Sequence, residues 1–413
     1  MPVSIAVSQA ALWLAGIVWC VNWLRSELNT GGYVPQPQRG PAGDIFSLVG
    51  TPLMAFWGLS VISALASRAP VESMWTLRDV FLFAAPPITY LAFQHPRMRN
   101  LGVRVFAIGV LAAILLGLGG TLLALQRGEA VGVYRPDGAF GHYMTYAGAL
   151  MLSIPLLLTV QGRTSWIWHR AIAVGAVVLL GLTMTRSGWI GCAVGLSVWV
   201  ASRFVKSSAG RSDEAPRRNW AVYGTVFCVL ILVAIMALLS LAGPDTLFER
   251  GASIFSLDNP TNVDRLAMAA TGLRIIRAHP WLGIGPGLME RVYPAWRVDW
   301  AVQEHNPHLH NNVIQIAAER GLVALAAWAW LMAAICVGAW RVLRYAGPFG
   351  EGGPEARAAL AALAAFLTMG LFEYNFSDSE VLMILLFVVT LPFAASSGIV
   401  QGRQASDPEA VGD

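Results

Sequence analysis

The apolar residues of this chain gather into stretches long enough to cross a lipid bilayer. Eleven can be read, at about 4–24, 45–66, 78–94, 101–125, 143–160, 166–185, 188–204, 220–242, 322–343, 356–373 and 380–399. About twenty helical residues span the hydrocarbon core. Inside lipid every backbone polar group must be satisfied within the segment, so a spanning stretch is a helix unless it alternates as a barrel strand does, and these do not. The pattern predicts an all-α polytopic membrane protein. The run at 78–94 is interrupted by Pro86 and Pro87. Composition excludes the other classes. Of 413 residues, 56% are hydrophobic and only 13% are charged, where a soluble domain carries about 25% charged residues. Disorder is excluded too, since it needs low hydrophobicity and high charge.

Of the 28 basic residues only Lys206 is a lysine, and the net charge is +4. So small an excess indicates no nucleic-acid partner. Arginine suits lipid headgroups and forked binding of phosphate, although a GC-rich genome leaves the same bias. Cys20, Cys192, Cys228 and Cys336 each sit in an apolar run without CxxC spacing, which argues against disulfides and a cysteine metal site. Met1 to Leu24 reads as a first membrane helix, lacking the basic start and small-residue box of a cleaved signal.

Orientation follows from basic residues in the connections. Arg97, Arg99 and Arg104 lie in 95–104, and Arg163 and Arg170 in 161–170. Arg203, Lys206, Arg211, Arg217 and Arg218 lie in 203–218, and Arg341, Arg344 and Arg357 in 341–357. If all eleven stretches cross, these four segments share one side, the cytoplasmic one. The chain then divides into eight helices over 1–242, an outer loop over 243–321, the C-terminal helices over 322–400 and a disordered cytoplasmic tail over 401–413. By this count Met1 lies outside and Asp413 inside.

The outer loop is long for a connector, and long loops carry function. It contains His279, His305, His308 and His310, together with Arg250, Arg265, Arg274, Arg277, Arg291, Arg297 and Arg320. A helix is expected over 262–278, capped by Asn262 and stopped by Pro280. Arg274 and Arg277 share a face of it and Arg265 points the opposite way, so this helix can also lie in the interface with snorkelling arginines. In WLGIGPGLME, Gly283, Gly285 and Gly287 read as a tight turn, because Pro286 breaks the dinucleotide pattern and no strand precedes it. In EHNPHLHNNVIQIAAERG, Asn306 followed by Pro307 predicts a helix start, with His308 and His310 in its first turn. The positive end of a helix disfavours protonated imidazole, which leaves a histidine there neutral and able to accept a proton. Asn311, Asn312 and Gln315 add hydrogen-bonding groups suited to sugar hydroxyls. Besides catalytic use of at least one, the three histidines have alternative readings as headgroup anchors or zinc ligands, although no HExxH pattern supports zinc. Arg186, between two apolar runs in GLTMTRSGWIG, is either functional or an interfacial snorkelling arginine. Glu373, in LFEYNFSDSE, is an ordinary loop acid or the partner of a histidine or an arginine.

These motifs resemble the O-antigen ligase and polymerase superfamily of bacterial envelopes. His310–Asn311, nine residues, then Gly321, Leu322, Val323 and Ala324 is similar to the ligase histidine motif, with Ala324 where the family has Gly, Thr or Tyr. TRSGW at 185–189 resembles the segment with the family's functional arginine, here Arg186. The stretch from Arg265 to HPWLGIGPG at 279–287 resembles the start of its outer loop. The resemblance implies a GT-C-like membrane glycosyltransferase of about 11–12 helices, in which one large periplasmic loop contains short helices. The usual count is twelve, with a cytoplasmic N-terminus, against the eleven read here. It implies residence in the bacterial inner membrane with the active site facing the periplasm, and neither metal nor cofactor. The implied donor is undecaprenyl-diphosphate-linked O-antigen and the implied acceptor lipid A–core. The residues implied for catalysis are His310, Arg265 and Arg186, with Arg186 and Arg265 on the diphosphate and His310 activating the acceptor. Substrate binding is expected from His308, Asn311, Arg274, Arg277 and Glu373. A polymerase or protein O-oligosaccharyltransferase of the same superfamily is the alternative. A transporter fits less well, since inverted repeats and mid-membrane charges are not seen.

Overall fold

The computed structural model describes residues 46–129, 133–160, 165–208 and 260–406. The spans expected at 4–24 and 220–242, and the first part of the long loop, lie outside the described residues. Among those described, every regular element is a helix. In order these are α1 (Thr51–Ala66), α2 (Pro70–Thr76), a 3₁₀ run (Leu77–Ala84), α3 (Ala85–Ala92), α4 (Pro96–Gln126), α5 (Tyr143–Thr159), α6 (Ser165–Leu182) and α7 (Arg186–Ala201). Then come α8 (Pro260–Ala278), α9 (Met289–Trp296), α10 (Asn312–Ala346), α11 (Gly353–Met369) and α12 (Ser379–Ser406). Four helices among the described residues, Leu48–Ala66, Pro96–Gln126, Asn312–Ala346 and Ser379–Ser397, are long and apolar enough to cross a membrane. The chain is an all-α polytopic membrane protein.

The stretch expected to span at 78–94 does not form one helix. It is the 3₁₀ run followed by the eight-residue α3, with Pro86 and Pro87 in the first turn of α3. Proline lacks an N–H and fits best in the first turn of a helix, and here the pair starts a new helix instead of continuing one.

α11 is the centre of the bundle, packed against α5, α7, α10 and α12. Its sequence, GPEARAALAALAAFLTM, is rich in alanine, and most of it is buried. On α7, Gly191 and Gly195 lie four apart and meet it. A Cβ at Gly191 would sit 2.9 Å from the Ala365 carbonyl, and one at Gly195 2.8 Å from that of Ala361. Small residues at this spacing let helix backbones approach closely within a membrane.

The two ends of the bundle differ in character. At one end the arginine-bearing connections converge. Arg99 pairs with Glu355 at 3.0 Å, Arg357 donates to Ser202 and to the Trp199 carbonyl, and the Ser208 amide donates to the Arg344 carbonyl. Arg203 and Arg357 both face the Phe349 ring. At the other end lie α8, α9, the start of α10 and the loop between α11 and α12.

Gly321 divides α10 there, with φ 82 and ψ 168. A kink orphans backbone groups, and the glycine turn at 279–287 satisfies them. Ile284 N–H donates to the Ala318 carbonyl at 3.0 Å, Gly285 N–H to that of Glu319 at 2.8 Å, and Leu322 N–H to that of Pro280 at 2.8 Å. Gly283, Gly285 and Gly287 all have positive φ, so the tight-turn reading holds. Any Cβ at Gly321 would strike the Trp281 carbonyl. Ser63 on α1 donates to the Leu282 carbonyl at 2.6 Å, seating the turn on the membrane bundle.

Candidate active site

The expected helix start at Asn306–Pro307 is not used. α10 begins at Asn312, so His308 and His310 precede it instead of occupying its first turn. The competing start is stronger because it carries more bonds. The Asn311 side-chain oxygen accepts from Ile314 N–H at 2.9 Å, the N-cap bond. Asn312 N–H donates to the Gly370 carbonyl at 2.7 Å, and the Gln315 side-chain oxygen accepts from Leu309 N–H at 2.7 Å. Asn311 Nδ2 also donates to the Leu371 carbonyl, while Asn312 bonds both Asn375 and Phe376 N–H. Of the amides expected to meet sugar hydroxyls, Asn311 and Asn312 thus stitch the α10 start to the loop between α11 and α12, and Gln315 holds the turn before it.

That stitching sets Glu373 against His310. His310 Nδ1 lies 2.7 Å from Glu373 Oε2, and Arg265 Nη2 donates to Glu373 Oε1 at 2.6 Å. Glu373 is buried, with a side chain 6% exposed, whereas Arg265 and His310 remain accessible at 26% and 20%. A carboxylate only accepts, so in a neutral imidazole this contact puts the proton on Nδ1 and leaves the lone pair on Nε2. Glu373, expected to bind substrate, has both oxygens occupied by protein donors. Ser187, next to Arg186, also reaches Oε1, at 3.5 Å.

Among the described residues only Met184 and His310 are non-glycines with positive φ, at 53° and 47°. The left-handed conformation costs such residues about 1–2 kcal/mol. Such strain persists only where the surroundings impose it, and it concentrates at functional sites. His310 is an expected site residue, and Met184 lies close to another. Met184 is two residues before Arg186, which opens α7. Arg135 holds that turn, with Nε donating to the Thr183 carbonyl at 2.7 Å and Nη2 to that of Met184 at 3.0 Å. Its guanidinium stacks on Tyr143.

His308 lies beside His310, with ring centroids 4.3 Å apart. Burial, reinforced by His310, pushes His308 down to about 4 against the pull of Glu373. His142 caps α5, and partial burial holds it below its ordinary value although Glu373 pulls it upward. Arg274 and Arg277 are exposed on α8, and Arg274 reaches the carbonyls of Trp296 and Arg297. α8 itself starts at Pro260, two residues before the expected cap. His305 is exposed. Among the described residues, no three His, Cys, Asp or Glu side chains are grouped so as to hold a metal ion.

The model of a family described as O-antigen ligase matches residues 171–329. The matched stretch holds Arg186, Arg265 and His310, in the order read from their motifs. The match over 171–329 supports membership of the O-antigen ligase/polymerase superfamily. No curated protein matches it. That match supports a membrane enzyme of glycan transfer, of a family whose substrates are in general polysaccharide-linked lipids. Glu373 lies outside the family match, supplied by the next membrane hairpin.

Sequence reasoning missed several groups near this site. Arg135 lies between two apolar runs without a motif. Arg320 is buried between Glu319, at 3.2 Å, and the Tyr374 hydroxyl, at 3.3 Å, yet in sequence it is one loop arginine among seven. Asp378 bonds Thr145 and is pushed by burial up to about 6.

Proposed function

We propose that this member of the superfamily is an O-antigen ligase that transfers a glycan from undecaprenyl diphosphate to a sugar hydroxyl of lipid A–core, with His310 as general base. The observation that carries this reading is the chain Arg265–Glu373–His310. It fixes the histidine tautomer and leaves Nε2 as a base at an accessible edge. Base catalysis needs a neutral acceptor of this kind. Nε2 takes the proton of the acceptor hydroxyl, and its oxygen attacks the anomeric carbon of the donor. The bond from that carbon to the diphosphate oxygen breaks, and polyprenyl diphosphate leaves. Glu373 stabilises the imidazolium formed, and the proton then passes to the departing diphosphate or to water. Arg186 and the remaining N–H groups of Arg265 meet the charge that develops on the leaving group. Asn311 and Glu373 position the histidine. Arg274 and Arg277 serve an outer part of the glycan.

Deleting the protein from its host should remove the whole lipopolysaccharide ladder and leave lipid-linked polymer to accumulate. A product with a single repeat would instead indicate the polymerase reaction.

The bundle's arginine-rich end supports a cytoplasmic placement by the positive-inside rule, with the site facing the periplasm. In a background without native cysteines, a cysteine at exposed Val302 is expected to react with an impermeant thiol reagent in intact spheroplasts, and one at Ser208 is not. The reverse labelling would place the site on the cytoplasmic side and remove the proposed donor.

A further inference from the structure

A cavity of about 300 Å³ lies behind His308, between the α10 start and the first hairpin of the bundle. None of the catalytic assignments above uses it. Its floor is formed by Arg320 and Tyr374, and its sides by Thr76, Asp79 and Ser377. Trp57, Phe83 and Phe376 give it aromatic walls. Two of these residues carry a buried donor without a protein partner, Arg320 Nε and Trp57 Nε1. Buried donors are rarely left unmet, so each marks a place where bonding capacity is unspent.

The charge in this cavity differs from that beside Glu373. Asp79 and Glu319 outnumber Arg320, and Glu319 is already paired with it. A diphosphate would be repelled here and drawn to Arg186 and Arg265. A neutral sugar ring is suited, because its hydroxyls need both donors and acceptors while its C–H faces pack on aromatic rings. The volume is at the low end for ligand pockets, which admits one ring and excludes a polymer or a prenyl chain.

We propose that this cavity seats the terminal sugar of the acceptor, with His308 as its gatepost beside the base. This rests on the reading of His310 given above. Asp79 and the Tyr374 hydroxyl hold the ring's hydroxyls, and the stacked His308 sets its distance from His310 Nε2. His308, kept neutral, offers one donor and one acceptor to the ring and no charge to the diphosphate.

Saturation-transfer NMR on the full detergent-solubilised chain, with methyl α-D-glucopyranoside and methyl α-D-mannopyranoside as probes, tests this directly. Saturation is expected to reach ring protons of at least one probe and to survive excess inorganic pyrophosphate. Ser377→Trp, at an exposed position on the rim, fills the cavity and should abolish the signal without lowering the melting temperature. Asp79→Asn should weaken it about tenfold, and it carries the test should the tryptophan variant fail to fold. No signal in the unaltered protein, an unchanged signal in the variants, or displacement by pyrophosphate would each overturn the proposal. The reading of His310 fails separately. Transfer that survives in His310→Ala with sugar binding intact removes the base and leaves the cavity.

Discussion

His310→Ala is expected to abolish detectable glycan transfer while the protein still folds and still binds its lipid-linked donor. General-base catalysis contributes about 10²–10⁴-fold, and here the base has been prepared at some cost. Its backbone is left-handed, and its Nδ1 is held 2.7 Å from a buried carboxylate. Alanine keeps the Cβ that makes that conformation costly, so the backbone strain is the same in both proteins and stability should change little. The loss should therefore appear in kcat, with the KM for donor nearly unchanged. Glu373→Gln supplies the companion measurement. It keeps the shape but loses the charge that stabilises imidazolium, so activity should fall and the pH profile of the remaining activity should shift. Full activity in His310→Ala would remove the base, whatever the other variants do. If His308→Ala is dead while His310→Ala is active, the role moves to the ring 4.3 Å away. That result would leave the Glu373 contact without a catalytic purpose.

What the sequence disclosed here, and what it hid, divide along physical lines. The glycine turn was legible because positive φ demands a residue type, and Gly283, Gly285 and Gly287 supply it. The membrane helices were legible because lipid permits little else. The helix start at Asn306 was misread because local capping rules weigh one side chain against its own chain. Asn311 won through its bond to Leu371 and that of the Asn312 N–H to Gly370, some sixty residues away. The Pro86–Pro87 stretch was hydrophobic enough to span, but hydropathy does not register a missing N–H. Of the site, the histidine and the two arginines could be named from motif and side of the membrane. The grip of Glu373 on His310 and Arg265 could not, since nothing local distinguishes it from Asp378 or Glu380. Only the packing of α11 against α7 and α10 brings it to the loop. Arg135 was hidden for the same reason, because it acts on carbonyls of a turn about fifty residues further along.

Lysine should replace neither Arg186 nor Arg265, although it keeps their charge. An arginine fork meets two oxygens of a diphosphate at once, and lysine offers a point charge. Loss of a charge-assisted bond that strengthens as the leaving group departs costs about 2–4 kcal/mol, or roughly 30- to 1000-fold in rate. The two positions should nevertheless differ in a second respect. Arg265 already gives one nitrogen to Glu373 at 2.6 Å, and that carboxylate is almost fully buried. Removing one partner of a buried pair costs about 3–5 kcal/mol, because the other charge is left uncompensated. Partial exposure of Arg265 reduces that cost but does not remove it. Arg265→Ala should thus lower both melting temperature and activity, and Arg265→Lys should recover stability more than activity. Arg186 opens α7, and Arg186→Lys keeps the charge there while losing the fork, so activity should fall. Melting curves and initial rates on the same preparations separate these outcomes. Near-normal rates in both lysine variants would show that positive charge alone suffices. Near-normal rates in Arg186→Ala would make that residue a headgroup anchor and leave the leaving group to Arg265.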